Sequence, residues 1–119
     1  MQNKEKQKRL DFVKYLHDDY TIVIARHPRF SWMVHAESNY IYFLYITRSQ
    51  NRFVDRETAT IAKYNILCFQ QVYSSYYMLM KSIYSVLSEY IMDSRKIMEL
   101  LLLCEKIRDY SEPEEIVRD

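Results

Sequence analysis

The sequence offers chemistry in few places. "HDD", His17–Asp18–Asp19, is the one cluster in which an imidazole neighbours carboxylates, the pairing used for acid–base work and for metal ligation. Its spacing argues against both. On a helix, adjacent side chains point about 100° apart and cannot converge on one ion, and no second histidine stands four residues away. Three polar residues closing a helix are the simpler reading. "RHPR" brings Arg26, His27 and Arg29 to a turn around Pro28. Two guanidiniums and an imidazole could clasp a phosphate or carboxylate, so these three are candidate anion-binding residues, although exposed turns are commonly charged. Serines 74, 75, 82, 85 and 88 have no histidine at helical spacing to activate them as nucleophiles. The expectation is a protein without catalytic residues, metal or cofactor: not an enzyme.

Glycine is absent from all 119 residues. Phosphate-cradling loops, dinucleotide turns and nucleophile elbows need backbone at positive φ or brought close to a ligand, so those classes are excluded. Turns must be built from Asn, Asp, Ser and Pro. The abundance of Tyr, Ile, Lys and Met over Ala and Gly is the bias of an AT-rich genome, as in phages, viruses and plasmids. A net charge of +1 gives no bulk attraction to nucleic acid or anionic membrane. No apolar run reaches spanning length and "MQNKEKQKRL" lacks the apolar core of a signal peptide. A cytoplasmic protein is expected, with Cys68 and Cys104 as buried thiols.

The elements that would position these residues follow from periodicity. Leu10, Val13, Leu16 and Tyr20 recur at helical spacing and predict a helix over 3–19. "YTIVIAR", "FSWMVHA" and "YIYFLYITR" are rich in β-branched and aromatic residues and predict a three-stranded antiparallel meander over 20–48, with a helix over 31–48 as the competing reading. Asp55 is a candidate N-cap for a helix running over 55–92, and a shorter helix is predicted over 93–110, capped by Asp93 or Ser94. An acidic tail, 111–119, follows. The fold class is α+β in one domain, with an all-helical bundle as the alternative.

The long helix carries two apolar seams. Phe69, Val72, Tyr76, Leu79, Ile83, Val86 and Tyr90 form one; Tyr73, Tyr77, Met80, Tyr84, Leu87 and Ile91 form the other. Over 56–91 such a helix would be about 54 Å long, against a diameter of roughly 35 Å for a compact domain of this size. It must break, near 64–67, or protrude and be covered. The second seam, Tyr73, Tyr77, Met80, Tyr84, Leu87 and Ile91, is therefore the candidate interface of a homodimer.

A further pattern resembles a helix-turn-helix. "IAKYNILCFQQV", 61–72, places Ile61, Ala62, Leu67 and Val72 where such motifs place Ile, Ala, Ile and Val. Asn65 stands where a buried Leu is usual, and Ile66 where the turn usually has Gly. The resemblance implies a DNA-binding regulator with a recognition helix over 68–78, a stretch that carries no Arg or Lys. The favoured expectation is instead a small non-enzymatic protein that binds other proteins (an adaptor, inhibitor, chaperone-like factor or regulatory subunit), homodimeric and without membrane contact.

Overall fold

The computed structural model describes residues 11–29 and 38–112. Four strands, β1 (Phe12–His17), β2 (Tyr20–Pro28), β3 (Tyr40–Asp55) and β4 (Thr60–Tyr73), pair antiparallel in the order β1-β2-β3-β4. Two helices follow the sheet, α1 (Tyr76–Leu87) and α2 (Ser94–Cys104), the second extended by a 3-10 turn, Glu105–Ile107. The fold is α+β and sheet-rich.

This overturns the architecture read from periodicity. The helix expected over 3–19 is contradicted where it is described, since residues 12–17 are β1; residues 1–10 lie outside the described residues. The sheet has four strands, not a three-stranded meander: "YTIVIAR" lies in β2, "YIYFLYITR" in β3, and "FSWMVHA" outside the described residues. Nor is there a helix over 55–92, because residues 60–73 are extended. Asp55 closes a strand rather than capping a helix. The helix-turn-helix pattern falls with that helix, its first dozen residues being strand. The all-helical bundle fails for the same reason.

Two turns show how a chain without glycine reverses direction. Asp18 takes φ 52° in the two-residue connection between His17 and Tyr20, and Ala59 takes φ 55° before Thr60. Asp tolerates the left-handed region; Ala, with a Cβ and no polar tip, does not. Ala59→Gly is expected to raise stability by about 0.5–1 kcal/mol in urea unfolding.

The core lies between one sheet face and the helices. Val13, Ile22, Ile24, Tyr42, Leu44 and Ile46 supply the sheet side; Tyr76, Leu79, Ile83 and Leu87 of α1, Ile91, and Ile97, Leu100 and Cys104 of α2 close it. The α1 stripe follows a true 3.6-residue period. It begins on one heptad seam, at Tyr76, Leu79 and Ile83, and drifts onto the other at Leu87, because a straight helix does not keep a 3.5-residue repeat. Both helix starts are capped: Ser75 Oγ accepts from Met78 N at 3.1 Å and Asp93 Oδ1 from Arg95 N at 2.9 Å. No helix among the described residues is long and apolar enough to cross a membrane.

Candidate protein-binding surface

The residues singled out for chemistry are separated by the fold. His17 and Asp18 sit at the β1–β2 turn, with His17 Nε2 3.4 Å from Asp18 Oδ2, while Asp19 pairs with Arg48 at 3.5 Å. Among the described residues no three of His, Cys, Asp and Glu gather as metal ligands. Alternation along β2 sends Arg26 and His27 to opposite faces. Arg26 is buried: Nη1 donates to Ile107 O at 3.1 Å, the guanidinium lies 4.3 Å from the Tyr40 ring centroid, and Nε is 3.7 Å from Asp11 Oδ1. It fastens the sheet to the C-terminal turn. His27 is exposed on the other face, edge-on to Phe43 at 5.1 Å. Arg29 donates to Ser38 O at 2.7 Å and to Ser74 O. The three do not share an anion.

The candidate dimer seam is divided as well. Tyr73, Leu87 and Ile91 are buried in the core of their own chain, which removes half of the expected interface. Tyr77 and Met80 remain half-buried on the outer side of α1, and Tyr84 is 45% exposed. They no longer form one stripe.

The surplus of apolar side chains is on the sheet instead. Both helices pack on one face, and an antiparallel sheet covered on one side ordinarily turns polar residues to water on the other. Here the registers set a fully apolar row across the open face, Phe12, Ala25, Phe43 and Val72, beside two mixed rows, Leu16, Thr21, Thr47 and Leu67 in one and Lys14, Val23, Tyr45 and Gln70 in the other. His27 and Ile41 extend it. Lys14 is the one charged residue among these positions. Phe43 and Tyr45 stack with ring centroids 5.9 Å apart. At the flanks Phe12 is 57% exposed, Leu16 67%, Leu67 54% and Val72 46%. Sequence reasoning missed this face because both sides of the strands are apolar, which erases the alternation that would have marked them.

A second feature adjoins it. β2 pairs with β3 only as far as Arg48, so residues 50–64 continue as a two-stranded arm. Val54, Ile61 and Tyr64 on the arm are exposed. A two-stranded ribbon in water is marginal without something packed on it. β4 is also an edge strand, and over its 14 residues, "TIAKYNILCFQQVY", Lys63 is the sole charge and no proline interrupts. Edges are normally blunted by such residues.

The two cysteines differ. Cys104 is buried in the core, where burial first and the neighbouring Glu105 second push its thiol up to about 12, whereas Cys68 is free and exposed on β4. Cys68 was expected to be buried and is not. At pH 8 a disulfide reagent is expected to titrate one thiol per chain rapidly, and the second only on unfolding. Cys68→Ser should abolish the rapid phase.

Comparison with family models, with curated proteins and with solved structures found no match.

Proposed function

We propose that the chain is a non-enzymatic protein-binding protein, acting as an adaptor, inhibitor or regulatory subunit, and that its working form is a homodimer in which two open sheet faces pack on one another. The observation that carries this is the open face, where Lys14 is the only charge among the described register positions named above. A two-fold interface must complement itself, and a face that is mostly apolar does so without needing an opposite partner. The size is also adequate. Four strands about 4.8 Å apart and roughly 25 Å long project about 500 Å² per copy, or about 1,000 Å² for the pair. Arms about 20 Å long and 10 Å wide add roughly 400 Å² for the pair, bringing the total into the range of about 1,200–2,000 Å² typical of stable complexes. The outer edge of β4 is then left for an extended segment of a protein partner, added as a further strand. An exposed free thiol, Cys68, suits a reducing compartment, and the cytoplasm is the assignment we make.

Sedimentation equilibrium tests the reading. The expected result is a species of twice the 14.6 kDa chain mass at micromolar concentration. A single species at the chain mass under those conditions would overturn it.

A further inference from the structure

The strand ladder fixes which backbone groups of β4 are left over. Arg29 N donates to Asn39 O and Ser49 N to Asp19 O, both at 2.9 Å, at the two ends of the β2–β3 pairing. Bonded and non-bonded positions alternate in an antiparallel pair, so the odd residues of β3 bond to β2 and the even ones to β4. Ile66 opposite Arg48 and Tyr64 opposite Gln50 therefore bond to β3. Their neighbours Ile61, Lys63, Asn65 and Leu67 turn N–H and C=O groups away from the sheet, as do Gln70 and Val72 beyond the extra residue Cys68.

The two runs differ. Past the bulge Val72 O already accepts from Gln71 Nε2 at 3.2 Å, and at the bulge Cys68 O accepts from Tyr90 Oη at 3.5 Å. Residues 61–67 instead run from the two-stranded arm to its base, and their described side chains are all exposed. A third strand is what such a ribbon lacks. An extended backbone is the chemistry that meets a row of alternating donors and acceptors. Charge decides whose backbone it is. Lys63 is the sole charge on β4, which has no carboxylate of its own to bring from a second copy. A second copy on this edge would also extend the face-to-face pair into an open chain of molecules.

We propose that residues 61–67 of β4 receive an extended segment of another protein as a fifth strand, with a carboxylate beside Lys63 and apolar side chains beside Tyr64 and Ile66. The added strand runs antiparallel, the more stable pairing. The inference rests on the reading of the chain as a protein-binding protein and names the kind of segment it takes; it does not require the dimer.

The test is a ¹⁵N-amide NMR titration of the full chain with the end-capped peptide Thr-Val-Thr-Val-Glu-Val-Thr, whose glutamate falls beside Lys63 when its first two valines fall beside Ile66 and Tyr64. Saturable shifts and slowed solvent exchange are expected at the amides of Lys63, Asn65 and Leu67. Tyr64 and Ile66, already bonded to β3, should change far less. Methylating the backbone nitrogens of the central threonine and the glutamate, both of which face β4, is expected to abolish binding. Replacing the glutamate by lysine should weaken it about fivefold. Asn65→Pro should abolish it too, because an outward N–H is removed and no bond to β3 is lost. No saturation, shifts without the alternation, or equal binding of the N-methylated peptide would each overturn the proposal. Amides of Lys63, Asn65 and Leu67 protected without peptide, and losing that protection on dilution, would assign the edge to a second copy and overturn it as well. Shifts confined to the helices or the open face would overturn the edge while leaving the protein-binding reading standing, and sedimentation of the same samples reads the dimer separately. Should Asn65→Pro lose its native amide dispersion, the N-methylated peptide still decides.

Discussion

Leu16→Glu combined with Val72→Glu is expected to convert the dimer into a folded monomer, raising the dissociation constant by a factor on the order of 1,000 or more. Leu16 lies at the β1 flank of the open face and Val72 at the β4 flank. The two-fold relation places each substitution twice in the interface, so four carboxylates would be taken from water with Lys14 the one cation among the named positions of the open face. A penalty of only about 1 kcal/mol for each already sums to the thousandfold change. The chain itself should tolerate the pair, because both side chains are well exposed when it stands alone and surface changes of this kind usually alter stability by less than about 0.5 kcal/mol. Tyr84→Glu is the control: Tyr84 is 45% exposed, but on α1, away from the sheet's open face. It should leave the dimer intact. Sedimentation of both variants beside their thermal melts separates the outcomes; a dimer that survives the double substitution but dissociates with Tyr84→Glu would move the interface to the helices.

Leu44→Ala is expected to cost about 3–4 kcal/mol of folding stability. Leu44 is fully buried on the core face of β3, opposite Ile24 on β2, in the same core cluster as Leu79, Ile83 and Leu100. Truncation loses the transfer energy of the removed carbons and leaves a cavity that strand neighbours on both sides cannot collapse to fill. At about 2.1 cal/mol/K of unfolding entropy per residue, a loss of 3 kcal/mol lowers Tm by roughly 12 °C for a chain of this length. Met92→Ala, at a side chain 93% exposed, should change Tm hardly at all. A small shift for Leu44→Ala, measured by calorimetry at fixed protein concentration, would mean the core does not lie between this sheet face and the helices.

How legible the fold was depends on which face of each element carried the signal. α2 and its cap at Asp93 were readable, since Ile97, Leu100 and Cys104 form a stripe with charged residues opposite. The strands were harder. In "FVKYLH" the inward Val13 and Tyr15 alternate with outward Phe12, Lys14 and Leu16, so Lys14 alone marks the outward phase and the period of two is obscured. Any chain apolar at most positions also shows spacings of three and four, and Leu10, Val13 and Leu16 imitated a helix that way. β4 added a second disguise. Ile46 pairs with Phe69 but Thr47 with Leu67, so Cys68 is an extra residue that inverts the facing pattern midway. Without a turn-forming glycine to punctuate it, β4 ran on into α1 as one apparent heptad seam. The candidate site was legible only as a surplus: the sequence carries more apolar surface than one core can hold, and assigning that surplus to a helix placed it on the wrong element. The Arg26–His27–Arg29 cluster failed for a plainer reason, since neighbours on a strand point apart.

The most direct measurement is an isotope-filtered NOE experiment on a mixture of ¹³C-labelled and unlabelled chains, which records contacts between copies only. Cross-peaks from the methyls of Leu16, Val23, Leu67 and Val72 in one copy to the rings of Phe12, Phe43 and Tyr45 in the other are the predicted result. Intermolecular peaks confined to Tyr77, Met80, Tyr84 or Met98, or none at concentrations where the mass is doubled, would contradict a dimer built on the open sheet face.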